Sequence, residues 1–268
     1  MKTEHIVKHG TFMRLIFSLV LLTVALSGCG QPFIRTTAGG SEMVFDGDIT
    51  KESVEKFKEK LAASPQVKKL IIRSTGGDAE SGIDIGELVF QRHLDIEIKG
   101  YCHSACANFI FPAGRIKTIP DNAVVTWHGN IRFGMYKFEL GDVQIPGKQM
   151  LNSLNVPEDK KESFIESLAQ SSYALQKKEE GFYAKIGVNG FIAWIGKIPP
   201  YQVEDVYTMS AADMAKFGIK DVKANDGYET LDFTRMTVSK VSVIKIDTDV
   251  SPPVIKNPKQ PAEWFKWE

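Results

Sequence analysis

Hydrophobic residues along this 268-residue chain recur at two spacings, which predict helices and strands in alternation. Residues 51–63 carry apolar side chains at helical intervals behind Thr50, a suitable N-cap, and residues 79–93 repeat the pattern behind Asp78. Residues 69–73 instead contain successive aliphatic side chains, which favours a parallel strand covered on both faces. The chain therefore begins its folded part with strand–helix–strand units.

The alternation continues beyond these first units. Further predicted elements are a strand at 42–49, a strand at 95–99, a hairpin turning at 120–122, a strand at 123–127 and a last helix within 210–221. For the last helix, Ser210 and Asp213 are expected to form an N-terminal capping pair, and Gly218 is expected to end the helix. Such alternation predicts an α/β fold with a mainly parallel sheet, helices packed on it and right-handed crossovers.

Two segments depart from this alternation. Residues 157–186 form a long amphipathic run, which predicts an inserted helix that packs on the domain or on another subunit. Residues 237–246 are strand-like and lead into a proline-rich end with Trp264 and Trp267. This end is expected to be either a packed extension or a partner-binding tail.

The N-terminus has the pattern of a secretory signal. Basic residues within 1–14 precede an apolar run at 15–26 that is too short for a stable membrane span. The sequence Leu-Ser-Gly-Cys at 26–29 resembles the bacterial lipobox, in which the cysteine is acylated and becomes the first mature residue. We therefore expect a lipoprotein signal peptide at 1–28 and a lipid-anchored tether at 29–41. The alternative is a signal anchor in which Cys29 stands by chance.

The lipobox resemblance has consequences for location and partners. Gly30, rather than an aspartate, follows the cysteine, which implies sorting to the outer membrane on the periplasmic side of a bacterial cell envelope. Outside the cytoplasm there is no ATP or coenzyme A, so neither an ATPase partner nor acyl-CoA chemistry is expected. The 33 basic and 33 acidic residues balance, which gives no electrostatic footprint for nucleic acid.

Three short motifs suggest a catalytic site. Ser104 lies at an expected strand-to-helix junction, Gly76 and Gly77 follow the strand at 69–73, and His128 follows the strand at 123–127. A serine hydroxyl needs an adjacent base to become a nucleophile, and a glycine pair permits close backbone approach. Ser104 comes 27 residues after Gly77, and His128 comes 24 residues after Ser104.

This order and spacing resemble the Clp protease proteolytic-subunit family and the wider ClpP/crotonase superfamily, over roughly residues 43–222. The resemblance implies a fold of repeated βαβ units, Ser104 as nucleophile, His128 as base, and an oxyanion hole made by the backbone N–H groups of Gly77 and Ala105. It also implies a homo-oligomer as an expectation. The alternatives are that Ser104 only caps its helix and that His128 is structural.

Two other histidines are weaker candidates for the base. His93 lies near the expected end of a helix, where capping and the helix dipole explain it. His103 adjoins Ser104 in sequence, and the side chains of neighbouring residues generally diverge.

The third catalytic residue is where the chain departs from the family pattern. Family members carry the acid four residues before the Ser-Ala of the last helix, and here that position is Val206. Asp205 is the expected acid, with Glu204 or a simple Ser104–His128 dyad as alternatives.

Cys102 and Cys106 flank Ser104, and their spacing leaves three readings open. An oxidising compartment would permit a disulfide. Two buried free thiols are the second reading. Zinc ligation together with His103 is the third and the weakest, because no second ligand pair has the spacing of a structural site.

Together these patterns predict a ClpP-like α/β domain at 42–228 and a C-terminal β and proline-rich extension at 229–268. The expected function is that of a lipid-anchored, ATP-independent serine hydrolase that cleaves peptides or proteins. No cofactor and no metal are expected. The rival hypotheses are a non-catalytic binding or assembly lipoprotein of the same fold, and an esterase or thioesterase.

Overall fold

The computed structural model of this chain describes residues 32–247 and 249–266. The predicted signal peptide and Cys29 lie outside the described residues. Within the described ranges, no helix combines the length and the apolar character needed to cross a membrane.

The chain alternates strands and helices up to its last third. The strands are β1 (Phe33–Thr36), β2 (Glu42–Asp46), β3 (Lys69–Ser74), β4 (Asp95–His103), β5 (Lys117–Ile119), β6 (Val124–Thr126), β7 (Ile145–Pro146), β8 (Val206–Thr208), β9 (Val222–Ala224), β10 (Val241–Val243) and β11 (Phe265–Lys266). The α-helices are α1 (Lys51–Ala62), α2 (Ala79–Gln91), α3 (Phe111–Ala113), α4 (Ile131–Leu140), α5 (Gly147–Ser153), α6 (Lys161–Ile186) and α7 (Ala211–Lys216), and a π-helix spans Cys106–Ile110. Short 3₁₀ turns lie at Glu158–Lys160, Gly190–Ala193, Ile195–Lys197, Tyr228–Thr230, Phe233–Arg235 and Pro261–Trp264.

The central sheet has seven strands in the order β1-β2-β3-β4-β5-β9, and β6 also pairs with β4. Every pairing in this sheet is parallel except that of β1 with β2. The α/β fold with a mainly parallel sheet is therefore confirmed. Because the carboxyl ends of parallel strands meet at one edge, the residues that follow β3, β4 and β6 gather there.

Local signals placed the helix starts correctly. Thr50 caps α1 and Asp78 caps α2, each accepting a hydrogen bond from the backbone N–H three residues on. Ser210 caps α7 in the same way, accepting from the N–H of Asp213, and Gly218 ends that helix region with a φ of 88°.

Three predictions about the sheet are wrong. Residues 33–36, predicted as part of the lipid-anchored tether at 29–41 and not as a strand, form β1, which pairs antiparallel with β2. The turn at 120–122 makes no hairpin, because β5 and β6 both run parallel to β4 and pair with different parts of it. The strand at 69–73 is covered on one face only: Leu70 and Ile72 are fully buried, whereas Ile71 is half-buried.

The charged face of the sheet explains why the strand at 69–73 is not covered on both sides. Lys69 forms ion pairs with Glu42 and Glu97 on the neighbouring strands, and Arg73 pairs with Asp46. These charged side chains keep the face in water, so the aliphatic residue between them is only partly covered.

The inserted segment and the chain end pack on the same domain. Helix α6 contacts α2 and α4, and a small second cluster of buried side chains joins α4, α5 and α6 to the C-terminal residues Trp264 and Phe265. Strand β11 pairs with β7, and β10 pairs with β8, so the strand predicted at 237–246 is shorter than expected. As far as residue 266, the end is a packed extension.

Candidate active site

Ser104 occupies a sharp turn between strand β4 and the π-helix. Its φ is 52°, in the left-handed region that a non-glycine residue adopts rarely and chiefly in constrained sites. No side-chain hydrogen bond caps the helix that follows, so Ser104 is not a helix cap here. Cys102 and Cys106 are joined by a disulfide across the turn, with their Cα atoms 5.3 Å apart. The turn is therefore covalently closed around the serine.

The glycine pair lies against this turn. A Cβ atom on Gly76 would approach the Ser104 Cβ to 2.6 Å and the Ala105 backbone nitrogen to 2.9 Å. A Cβ atom on Gly77 would lie closer still to the Ile49 carbonyl oxygen, and both glycines have positive φ angles. Side chains at either position would push the two backbones apart, which is the physical reason for two glycines here.

Two backbone N–H groups beside Ser104 have no acceptor among the described residues: those of Gly77 and Ala105. The neighbours of Gly77 are engaged, since the Gly76 carbonyl accepts from Ile49 and the Asp78 N–H donates to the Ile49 carbonyl. Unpaired N–H groups next to a serine are what an oxyanion hole requires.

His128 is the second residue after β6. The adjoining Trp127 exchanges two backbone hydrogen bonds of 2.9 Å with Tyr207, in an antiparallel bridge. The side chain of His128 is solvent-exposed, and no hydrogen bond joins its ring to the Ser104 hydroxyl. Partial desolvation, aided by the Lys197 ammonium, holds the pKa of His128 below its ordinary value, while Asp205 opposes the shift. A lowered pKa keeps the imidazole neutral, as a general base must be.

The acid side of the site differs from the family pattern. The Trp127–Tyr207 bridge places Val206 opposite His128, so the residue that faces the histidine is apolar. Asp205 lies in the same cavity as His128, but its carboxylate accepts a 2.7 Å hydrogen bond from the backbone N–H of Lys240. Lys197 donates to the backbone carbonyls of residues 203, 204 and 205, which fixes this stretch.

His103 is a buried structural group beside the serine. Its ring stacks on Tyr101 at 5.1 Å, its Nδ1 lies 2.5 Å from the Thr126 hydroxyl, and its Nε2 lies 3.0 Å from the Thr237 hydroxyl. Burial, with a smaller effect of His128, lowers its pKa to about 4. Both ring nitrogens are occupied, so His103 is not available as the base for Ser104. The remaining candidate, His93, lies at the end of α2 against Phe90.

Ser104 and His128 lie between two cavities. The first, which we call the strap cavity, has a volume of about 550 Å³ and is covered by residues 234–239; Asp205 and His103 also line it. The second, the inner cavity, has a volume of about 410 Å³, and the two oxyanion-hole candidates, Gly77 and Ala105, line it. The structure places all five predicted site residues around these two cavities: Ser104, His128, Gly77, Ala105 and Asp205.

One residue of the site was missed at the sequence level. Asn108, in the π-helix, is 4% exposed and lines the inner cavity. The available signal was its position as a lone polar residue in the apolar run 105–113. A π-helix adds a residue to a helical turn and occurs often at functional sites.

The described residues contain no group of three His, Cys, Asp or Glu side chains able to hold a metal ion. The disulfide occupies both cysteines that the zinc hypothesis required.

The fold and site define an α/β protein with a serine and a histidine at the carboxyl edge of a parallel sheet. No protein-family model and no curated protein matches the sequence. Among solved structures, a serine-to-alanine mutant of the 1510-N membrane-bound stomatin-specific protease is 15% identical, with a TM-score of 0.35, over 76% of this chain and 96% of that one.

Two further solved structures are similar at lower coverage. A mutant of ClpP1 from Listeria monocytogenes is 15% identical, with a TM-score of 0.29, over 52% of this chain and 78% of that one. A probable enoyl-CoA hydratase/isomerase from Mycobacterium abscessus is 8% identical, with a TM-score of 0.29, over 36% of this chain and 49% of that one. The likeness to all three is one of backbone arrangement alone.

Proposed function

We propose that this protein is a serine hydrolase that cleaves peptide bonds by acyl transfer through Ser104, without ATP. The observation that carries the proposal is the left-handed turn at Ser104, set beside the unpaired N–H groups of Gly77 and Ala105 in one cavity with His128. A nucleophile, two oxyanion donors and a base with a lowered pKa are the parts that acyl transfer needs.

The reaction has two halves. The Ser104 Oγ attacks the substrate carbonyl carbon and passes its proton to His128, while the developing oxyanion accepts hydrogen bonds from the Gly77 and Ala105 N–H groups. His128 then protonates the leaving amine, and the acyl group remains on the serine as an ester. A water molecule, deprotonated by His128, attacks this ester; the acid is released as His128 returns the proton to the Ser104 Oγ. Since apo enzymes often lack short catalytic hydrogen bonds, the serine and histidine are expected to meet when substrate binds.

The proposal is tested by labelling the folded protein with a fluorophosphonate probe. Wild-type protein is expected to label at Ser104, and Ser104→Ala and His128→Ala are expected to lose labelling. Equal uptake by wild type and Ser104→Ala would overturn the proposal. Peptide and ester substrates, compared on unlabelled protein from the same preparation, decide between a peptidase and an esterase or thioesterase.

A non-catalytic binding protein is the second candidate. It is favoured by the hydrogen bond between Asp205 and the Lys240 N–H, which engages the acid away from His128, and by Val206 at the facing position. In that case Ser104 labels no faster than an ordinary surface serine, while the protein still binds peptides.

We also propose that the domain is anchored to the envelope membrane through a lipid on Cys29. The support is the apolar run at 15–26 followed by Leu-Ser-Gly-Cys. Labelled fatty acid should enter the wild-type protein in a bacterial host and not the Cys29→Ser variant. Incorporation into both would place the lipid elsewhere, and incorporation into neither would favour a signal anchor.

A further inference from the structure

The inner cavity beside Ser104 has largely apolar walls, and besides the serine and histidine of the site two amide side chains line it, those of Asn108 and Asn130. Its walls come from α2, the π-helix, α4 and α6, through Ala79, Phe109, Ile131, Phe133 and Leu175. Because Gly77 and Ala105 line this cavity and not the strap cavity, a carbonyl oxygen held by their N–H groups directs the acyl portion of the substrate into it. The strap cavity would then bind the leaving-group side of the substrate, which departs as the amine.

The Asn130 amide is already paired, because its Oδ1 accepts from the Phe133 N–H and its Nδ2 donates to Glu179. The amide of Asn108 is only half paired. Its Nδ2 donates a 3.0 Å hydrogen bond to the Gly129 carbonyl, which can only accept, so this contact fixes the orientation of the amide. Its main-chain carbonyl accepts from the Tyr183 hydroxyl at 3.0 Å. The Oδ1 atom, however, is buried and has no hydrogen-bond partner among residues 32–247 and 249–266. A buried acceptor without a donor costs about 1–3 kcal/mol, so this atom favours any ligand that supplies one.

The charges around the cavity restrict that donor. Among the described residues that line it, His128 is the one titratable side chain, and none carries a carboxylate. The nearby Glu179 accepts a hydrogen bond from Asn130, and burial raises its pKa to about 8, so it is mostly protonated at neutral pH. A lysine or arginine side chain would therefore be buried without a counter-ion, which is unfavourable. An acidic side chain is also unfavourable, because its carboxylate oxygens accept hydrogen bonds and so does Asn108 Oδ1.

We propose that Asn108 makes the inner cavity selective for acyl groups whose side chain joins an apolar stem to a neutral hydrogen-bond donor at its tip, as in glutamine. The stem packs on the apolar walls, and the terminal NH₂ donates to Asn108 Oδ1. The inference rests on the proposed acyl transfer at Ser104 and adds the class of substrate.

The test compares peptide substrates that differ only in the residue whose carbonyl is attacked. Coumarin amides ending in glutamine, methionine, glutamate or lysine suit this purpose, because methionine has nearly the size of glutamine and lacks the donor. We expect kcat/KM to be about 10- to 100-fold higher for glutamine than for methionine, since a site built to bond a polar group rejects analogues that lack it. Glutamate and lysine are expected to fall below methionine.

Two variants separate the hydrogen bond from the packing. Asn108→Leu removes Oδ1 at similar volume, and its preference should reverse in favour of methionine. Leu175→Ala trims the apolar wall, and it should lower kcat/KM for both substrates while leaving their ratio near the wild-type value. If Asn108→Leu does not fold, as judged by thermal unfolding, the wild-type ratio alone decides.

Fluorophosphonate labelling separates the failure of this inference from the failure of the proposed function. Wild-type protein that labels at Ser104 but cleaves the methionine substrate as well as the glutamine substrate would overturn the selectivity and leave the hydrolase intact. Protein that does not label at all would overturn both.

Discussion

At the scale of single residues, Gly76 shows how closely the two halves of the site approach. In Gly76→Ala the new Cβ would meet three atoms of the Ser104 turn at 2.6–2.9 Å, at a φ of 96° that alanine rarely adopts. The Ser104 turn must therefore move, and a displacement of this size can reduce activity about 100-fold. We therefore expect the rate of fluorophosphonate labelling to fall about 100-fold in this variant. We also expect its free energy of unfolding to fall by about 2 kcal/mol.

The matched control is Gly181→Ala in helix α6, an exposed position that lines neither cavity. Outside the neighbouring helix backbone, no atom of the described residues lies within 4 Å of a Cβ built at Gly181, and helix interiors favour alanine over glycine. This variant should label normally and unfold at the same denaturant concentration or a higher one. Normal labelling in Gly76→Ala as well would show that the glycine is not needed for close approach.

Asp205 is the second test at this scale, because it decides between a triad and a dyad. Asp205 acts on His128 through charge, without a direct hydrogen bond, so its effect should be modest. Asp205→Asn is expected to lower kcat/KM about 10-fold and to lower the pKa of His128 further, since one favourable charge is removed. The pH dependence of kcat/KM for a peptide or ester substrate measures both effects.

Glu204→Gln serves as the comparison for Asp205→Asn. Glu204 is exposed, and the effects of charge on the His128 pKa come from Lys197 and Asp205, so the substitution should change neither rate nor pH profile. If Asp205→Asn matches wild type, the site works as a dyad. If Glu204→Gln is the slower variant, the acid has been assigned to the wrong residue.

The sequence predicted the residues of this site better than their contacts. Ser104 and His128 could be found because each follows an apolar strand, and the ends of parallel strands meet at one edge. The hydrogen bond that the Asp205 carboxylate accepts from the Lys240 N–H could not be predicted from the sequence, because it depends on a backbone segment 35 residues further along the chain. Asn108 was missed because a lone amide in an apolar helix has no pattern until the cavity beside it is seen.

At the scale of elements, the disulfide between the end of β4 and the start of the π-helix is expected to hold the nucleophile in place. It closes a loop with a sequence separation of only 4 around a left-handed serine. A loop this short should contribute about 2 kcal/mol to the free energy of unfolding in the chain-entropy account. We expect Cys102→Ala/Cys106→Ala to lose about that amount and to label more slowly.

Reductant provides the control for this prediction. It should slow the labelling of wild-type protein and have no effect on the double variant, whose remaining Cys29 lies outside the described residues. Equal labelling rates in wild type and double variant would mean that packing alone sets the turn.

The elements also show where sequence patterns stop being informative. Helices α1, α2 and α7 begin where predicted, because a capping side chain acts on a backbone N–H three residues away. The turn between β5 and β6 was also recognised, but a turn does not reveal which strand its flanks will pair with. Both flanks pair with the long strand β4 instead of with each other.

At the scale of the whole molecule, the sheet carries an open, charged face. Helices α1 and α2 pack on one side, whereas the ion pairs of Lys69 and Arg73 lie on the other. Aliphatic runs in the sequence could not distinguish a strand covered on both faces from one whose outer aliphatics are shielded by long charged neighbours.

A homo-oligomer stays a prediction, and sedimentation of the folded protein would test it.

The stability of the whole molecule should depend on pH through two buried groups that act in opposite directions. Burial lowers the pKa of His103 from 6.5 to about 4, so the unfolded chain binds more protons between these values and stability falls as the pH falls through them. Burial raises the pKa of Glu179 from 4.5 to about 8, so the folded chain binds more protons and stability falls as the pH rises through that range.

Between pH 4.5 and 6.5 these two slopes, each about 1.4 kcal/mol per pH unit, oppose each other, and His128 adds to the His103 slope. From pH 6.5 to 8 the Glu179 slope is left, and the free energy of unfolding should fall by about 2 kcal/mol. Denaturant titrations at pH 5, 6.5 and 8 measure this. Glu179→Gln cannot titrate, so its stability should stay level from pH 6.5 to 8 and rise from pH 5 to 6.5.

The neighbouring Glu180 separates this effect from a general response of helix α6 to charge. Its pKa is lowered, with hydrogen bonds from Lys177 and Gln176 outweighing burial, so it is ionised in both states above pH 6.5. Glu180→Gln should therefore keep the wild-type decline between pH 6.5 and 8. A decline that persists in Glu179→Gln would instead mean that the buried carboxyl is already ionised at neutral pH. The inner cavity would then have a negative charge close behind Asn130, and the lysine substrate should be cleaved better than the glutamine one.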